Sequence, residues 1–186
     1  MKRFIFLDRD GTVCVEKEYL DDYKKMEFLP DVDKALRIFK DNDYGVVIIT
    51  NQSGVARGKF SLEEAERQKK YFLEYFLKKK IVIDGYYYCP HHVDGIIKEF
   101  SIDCGCRKPK PGLINKAVEG IDVNMTRSYV VGDKLIDIEL ARNIGSIPVL
   151  VRTGYGREEE KKLIDKKDIL IFENLYEFAL FVKEVK

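Results

Sequence analysis

The sequence predicts an α/β protein in which a mainly parallel sheet lies between two layers of helices. Three observations lead there. Apolar, β-branched runs alternate with helical periodicities along the whole chain. Runs such as Val46-Val47-Ile48-Ile49 have no polar face, as a strand covered on both sides requires. The segments that fit neither pattern, 11–30, 51–60 and 90–112, each follow a strand, where open sheets carry their ligand loops.

Strands are expected at 3–7, 46–50, 85–89, 128–132, 148–151 and 169–172. Between the first two, Val32, Ala35, Leu36 and Phe39 repeat at helical spacing. Ser61-Leu62-Glu63-Glu64 reads as a capping box, with Ser61 as N-cap and Glu64 reaching back to its N–H. The helix it starts carries Ala65, Phe72, Leu73, Phe76 and Leu77, and runs out in Lys78-Lys79-Lys80, cations suited to the negative end of the dipole. Pro111 opens a third helix that Gly120 closes. A fourth spans about 134–144 and stops at Gly145; Asn174 with Glu177 caps a last one. The expected whole is a Rossmann-like three-layer sandwich, one domain over 1–186, with no separate cap domain and one zinc-binding loop at about 89–107.

At 186 residues the chain can bury a substantial core, and 45% hydrophobic with 35% charged residues is an ordinary globular balance. A net charge of +1 gives no support to a nucleic-acid or membrane-surface partner. No apolar run approaches the roughly 20 residues that span a bilayer. The N-terminus meets acidic residues too soon for a signal peptide. A cytoplasmic monomer acting on a small molecule is the expectation.

Asp8-Arg9-Asp10-Gly11-Thr12 follows directly on the first strand. Residues i and i+2 of an extended segment point the same way, so Asp8 and Asp10 can face one pocket. One carboxylate can attack phosphorus or hold a divalent cation while the other handles a proton. Alone, the motif is equally an acidic turn. Thr50-Asn51-Gln52-Ser53-Gly54 leaves the second strand with hydroxyl, amide and N–H groups suited to phosphate oxygens. Arg107-Lys108-Pro109-Lys110-Pro111-Gly112 brings cations to a helix N-terminus. Gly132-Asp133 ends the fourth strand, with Asp137 four residues on. A polar turn, a solvated basic loop and a helix cap would each explain one of these. Four in this order, all after strands, are harder to dismiss.

Cys89-Pro90-His91-His92 is followed by Cys104-Gly105-Cys106. The pairs Cys89/His91 and Cys104/Cys106 close one loop and make a tetrahedral zinc set with no open position, hence a structural one. A disulfide, or free thiols beside a surface histidine, would compete. Zinc is preferred because three thiols beside a histidine meet its ligand preferences. His92 is the weaker ligand, and Cys14, in another loop, reads as an ordinary thiol.

Taken together, the four strand-end motifs resemble those of the haloacid dehalogenase (HAD) superfamily over the whole chain. The resemblance implies magnesium-dependent phosphate-ester hydrolysis, with Asp8 as nucleophile and Asp10 as general acid/base. Thr50 and Lys108 would bind the phosphoryl group; Asp8, the Asp10 carbonyl and Asp133 would ligate magnesium. The strings DRDGT, TNQSGVARGKF, YYCPHH, CxCRKPKPG and VGDKLxD are similar to those of the D-glycero-D-manno-heptose 1,7-bisphosphate 7-phosphatases. That family implies loss of the 7-phosphate from a sugar bisphosphate held by Asn51, Ser53, Arg57, Arg107 and Lys134. Histidinol-phosphate phosphatases share the zinc loop and are the nearest alternative. A polynucleotide 3′-phosphatase or a non-catalytic zinc-binding protein fits less of the sequence.

Overall fold

In the computed structural model, which describes residues 1–164 and 166–185, six parallel strands form one sheet in the order β3-β2-β1-β4-β5-β6. The strands are β1 (Arg3–Leu7), β2 (Tyr44–Asn51), β3 (Gly85–Cys89), β4 (Tyr129–Gly132), β5 (Ile147–Val151) and β6 (Leu170–Phe172). The helices are α1 (Val32–Asp41), α2 (Leu62–Lys78), α3 (Gly112–Ala117), α4 (Leu135–Ile144), α5 (Gly156–Lys161) and α6 (Leu175–Glu184).

The period of two sorts the strand side chains between two cores. On one face Ile5, Leu7, Val46 and Ile48 pack with Leu36 and Phe39 of α1, Phe72 and Phe76 of α2, and Phe178 of α6. On the other, Phe4, Phe6, Val47 and Ile49 meet Leu113 and Ile114 of α3 and Leu140 of α4. Both faces are covered, which is why the central strands contain hardly a polar residue.

Strand order reverses beside β1. From β1 the chain steps to β2 and β3 on one side, then returns to lay β4 against β1's other edge, with Leu7 beside Val131. Crossovers that diverge this way open a crevice at the strand C-termini. Asp8 and Asp133 are the residues that follow the two strands at that crevice.

Several expected boundaries move. Strand β2 is longer than expected, because Tyr44 pairs with Arg3 at one end and Asn51 with Cys89 at the other. Helix α3 stops at Ala117, before Gly120 (φ +71°) turns the chain. A short helix, α5, follows β5 where none was expected. The box at Ser61 is only half formed. Ser61 accepts from the Glu64 N–H at 3.2 Å, but the Glu64 carboxylate accepts from the Tyr23 N–H (2.6 Å) and Arg67 Nε (2.7 Å). A long-range main-chain donor has outcompeted the local one. Glu64 therefore ties α2 to the loop that follows β1.

Candidate active site

Strand β1 ends by delivering Asp8 into the crevice, where its N–H donates to the Val131 carbonyl at 2.9 Å. Gly11 then turns the chain with φ +80°, a conformation that costs glycine no strain. Lys108 reaches the same point from the segment before α3. Its ammonium lies 2.9 Å from Asp8 Oδ1 and 2.6 Å from Asp137 Oδ1, with all three side chains almost fully buried. Asn51, the last residue of β2, fixes Lys108 by its main chain: Asn51 Oδ1 accepts from the Lys108 N–H (3.0 Å) and Nδ2 donates to its carbonyl (3.2 Å).

Asp133 stands on the far side of Asp8, fully buried. Its Oδ2 accepts from the Tyr155 N–H at 2.8 Å, whereas Oδ1 is buried with no hydrogen-bond partner among the described residues. Burial, then the neighbouring Asp8 charge, push the Asp133 carboxyl up to about 8. Asp137 is pushed up to about 6 by burial, with Lys108 pulling down and Asp8 pushing up. Lys108 stays a cation although burial opposes it, because Asp137 and Asp8 face it. Oxygens of Asp8, Asp133 and Asp137 all lie within 4.8 Å of one another. Three acids gathered in a buried crevice put like charges together, and among the described residues one of their oxygens, Asp133 Oδ1, is orphaned. A hard divalent cation fits that donor set and relieves both defects.

Above this cluster opens a cavity of about 380 Å³. Of the residues expected to act on substrate, Asp8, Asp10, Thr50, Asn51, Ser53, Arg107, Lys108 and Lys134 line it. Arg57 does not; its guanidinium rests on the His92 ring, 3.0 Å from Nε2. Lys134 Nζ is paired with Glu16 at 2.8 Å and sits 4.7 Å from the centre of the Tyr155 ring.

Beside the cavity the expected thiol set assembles. Cys89 ends β3 fully buried, and Cys104 and Cys106 pack near it. The three sulfurs are 3.1, 3.2 and 3.4 Å apart, and His91 Nδ1 lies 3.3 Å from Cys106 and 3.7 Å from Cys89. These separations far exceed the roughly 2.05 Å of a disulfide. They approach the edge of a tetrahedron around zinc, about 3.8 Å for sulfurs each 2.3 Å from the metal. The four residues thus fit a zinc ion, and His92 lies outside their group. Arg107, next in the chain, bonds back to the His91 carbonyl at 3.3 Å.

Other parts of the site were not expected from the sequence. Arg9, between the two acids, is 1% exposed and grips the Asp10 carboxylate. Glu16, Glu18 and Tyr19, within the 11–30 segment expected to carry a ligand loop, complete the cavity wall with Ile136 and Tyr155. The loop after β5 closes over Asp133: Thr153 Oγ1 donates to the Gly11 carbonyl at 2.5 Å, and Gly154 packs on Asp133 itself. The string Arg152-Thr153-Gly154-Tyr155-Gly156, two glycines directly after a buried strand, is a signal that could have exposed this last element.

The family model described as HAD-hydrolase-like matches residues 105–178. The D-glycero-β-D-manno-heptose-1,7-bisphosphate 7-phosphatase of Salmonella typhi is 44% identical over 152 residues, 81% of this chain and 80% of that protein. The protein of the same name from Haemophilus ducreyi is 38% identical over 184 residues, covering 97% of this chain and 98% of its own. Among solved structures, a D,D-heptose 1,7-bisphosphate phosphatase from B. bronchiseptica, complexed with magnesium and phosphate, aligns over 100% of both chains at 30% identity with a TM-score of 0.88.

Proposed function

The chain belongs to the D-glycero-β-D-manno-heptose-1,7-bisphosphate 7-phosphatase family of HAD-like hydrolases, a family of phosphoric monoester hydrolases, and from that premise we propose that it removes the 7-phosphate of the β-anomer. It does so as one domain and a cytoplasmic monomer, with a small sugar phosphate as its partner. Among the described residues no helix is long and apolar enough to cross a membrane.

Asp8 is the nucleophile. Lys108 and the Arg9 N–H both hold its Oδ1, which leaves Oδ2 for the attack. A new Oδ2–P bond forms as the bond from phosphorus to the sugar oxygen breaks, and Asp10 protonates that departing oxygen. Asp10, now ionised, takes a proton from a water that attacks the aspartyl phosphate; the Oδ2–P bond breaks and releases inorganic phosphate. Thr50, Ser53 and the Lys108 ammonium hold the transferring oxygens, while Asn51, Arg107 and Lys134 anchor the rest of the substrate. Arg57 joins them if it leaves His92. Asp8, the Asp10 carbonyl and Asp133 would hold magnesium, which when bound offsets repulsion between carboxylate and phosphate. Cys89, His91, Cys104 and Cys106 would hold a structural zinc that steadies the segment carrying Arg107 and Lys108.

The observation that carries this reading is the buried group of Asp8, Asp133, Asp137 and Lys108 at the switch point. Phosphoryl transfer asks chiefly for positioning and charge neutralisation, and this group supplies both. The test is kcat/KM with magnesium for the two heptose bisphosphate anomers against histidinol phosphate, with the released phosphate assigned by phosphorus NMR. Preference for the β-bisphosphate at position 7 is expected. A preference for histidinol phosphate would move the chain to that neighbouring specificity, and no hydrolysis of any phosphomonoester would end the catalytic reading.

A further inference from the structure

Arg9 is a full-length cation sealed inside the protein, and its surroundings are matched to it group by group. Its Nε donates to Asp10 Oδ1 at 2.9 Å. One terminal nitrogen donates to Asp10 Oδ2 (2.8 Å) and Gln52 Oε1 (3.1 Å), the other to Gln68 Oε1 (2.8 Å) and the Tyr86 hydroxyl (3.2 Å). A guanidinium has five N–H donors, and here each has an acceptor. Four segments contribute: the turn after β1, the turn after β2, helix α2 and strand β3. A core position needing only volume would be better served by an apolar side chain, since burying a cation is unfavourable even when it is paired.

The acceptors are not equivalent in what they do next. Gln52 uses its amide nitrogen to donate to Asp10 Oδ2 (3.0 Å) and to Thr50 Oγ1 (2.9 Å). Gln68 donates to the Leu20 carbonyl at 2.6 Å, next to Tyr19 of the cavity wall. Each carboxylate oxygen has two lone pairs. Asp10 Oδ2 receives two donors, one from Arg9 and one from Gln52, and is filled. Among the described residues Oδ1 receives Arg9 Nε alone and keeps one lone pair.

We propose that Arg9 is a positioning residue that locks the Asp10 carboxylate in one orientation, with Oδ1 as the oxygen that gives and takes the proton, and that Gln52, Gln68 and Tyr86 hold Arg9 in place for this task. The assignment rests on Asp10 being the general acid/base of the reaction proposed above. Lysine at position 9 keeps the charge but lacks the planar fork, so it cannot hold both oxygens.

Leaving groups report this role where a merely structural one would not. An alkyl oxygen needs a proton to depart; p-nitrophenolate does not. In Arg9→Lys, kcat on the sugar bisphosphate should fall about 10²-fold with KM little changed, the range for a misplaced general acid. The same enzyme with p-nitrophenyl phosphate and magnesium should still release a burst of about one p-nitrophenolate per site at near the parent rate, followed by slow turnover. Asp10→Asn is the control and should show the same split more strongly. Tyr86→Phe, which removes one acceptor and no volume, should shift kcat a few-fold in the same direction and decides the matter if Arg9→Lys does not fold. Equal losses with both leaving groups in the Arg9 and Tyr86 variants, or no loss in either, overturn the assignment while a split in Asp10→Asn leaves the general acid standing. No split in Asp10→Asn removes the premise as well.

Discussion

Asp8, Asp133 and Asp137 sit at the tips and first helical turn beyond β1 and β4, with full strands behind them and an ammonium already among them. Cys89, His91, Cys104 and Cys106 sit largely on a segment with no regular structure between β3 and α3, whose Val93, Ile96 and Ile102 are exposed. Both groups fit a metal, but the scaffold relates to the metal in opposite ways. The oxygen cluster is positioned by the sheet and would keep its shape without a cation, at an electrostatic cost. The sulfur cluster lies on a segment with little apolar burial of its own, so there a metal would stand in for a hydrophobic core. Removing a ligand should therefore damage chemistry in the first region and folding in the second.

The strongest test of that contrast is Asp8→Asn. Turnover should fall on the order of 10⁴-fold or more, the scale seen when a covalent nucleophile is removed. The unfolding midpoint should hold or rise, because one of three crowded carboxylates loses its charge; a large drop would show that the cluster also carries the fold. Lys108→Met is predicted next. It removes the cation that bridges Asp8 and Asp137, so kcat should fall about 10²- to 10³-fold. About 3 kcal/mol of stability should go with it in urea unfolding, since a buried charge loses its partner. In the other region, Cys104→Ser should lower zinc below one per chain by elemental analysis and lower the midpoint by on the order of 10 °C. Activity should fall only about tenfold, as the segment bearing Arg107 and Lys108 loosens. Full zinc occupancy would remove Cys104 from the ligand set, and complete inactivation in a folded variant would erase the contrast.

The smallest expected effect is in pH. The Asp133 carboxyl, raised to about 8 without a metal, must lose its proton to ligate one. Magnesium affinity by calorimetry should therefore climb with pH, by at most about tenfold per unit, and level off above about 8. Metal-free stability should run the other way. Folding raises the affinity of Asp133 for a proton, so its contribution is complete below the ordinary carboxyl range and fades as pH rises towards 8. Asp137, raised to about 6, adds to the same slope. A thiol cluster stripped of zinc should show no such carboxylate-linked slope.

How far the sequence disclosed all this follows from how each element is encoded. Strands buried on both faces write themselves as continuous apolar runs, so the sheet and the residues at its tips were readable, Asp8, Thr50 and Asp133 included. The thiols declared themselves by chemistry and spacing. Arg9 did not, because a cation between two acids reads equally well as a solvated turn; its burial depends on Gln68 and Tyr86, each more than 55 positions away. Glu64 was misassigned for the same reason: the donor that captured it, the Tyr23 N–H, is 41 residues distant. Local grammar predicts local bonds, and this site is held largely by bonds between segments far apart in the chain.

The glycines around the buried acids extend that point to the tolerance of the sequence. A Cβ at Gly11 or Gly154 would enter the contact radius of Asp133 Oδ2, and one at Gly132 would strike Asp137. These three positions offer no functional atom, yet a saturation library scored for activity should accept glycine alone at each. A map of mutational sensitivity would rank them with the buried acids themselves, because the space a Cβ would take is already filled by the Asp133 and Asp137 carboxylates.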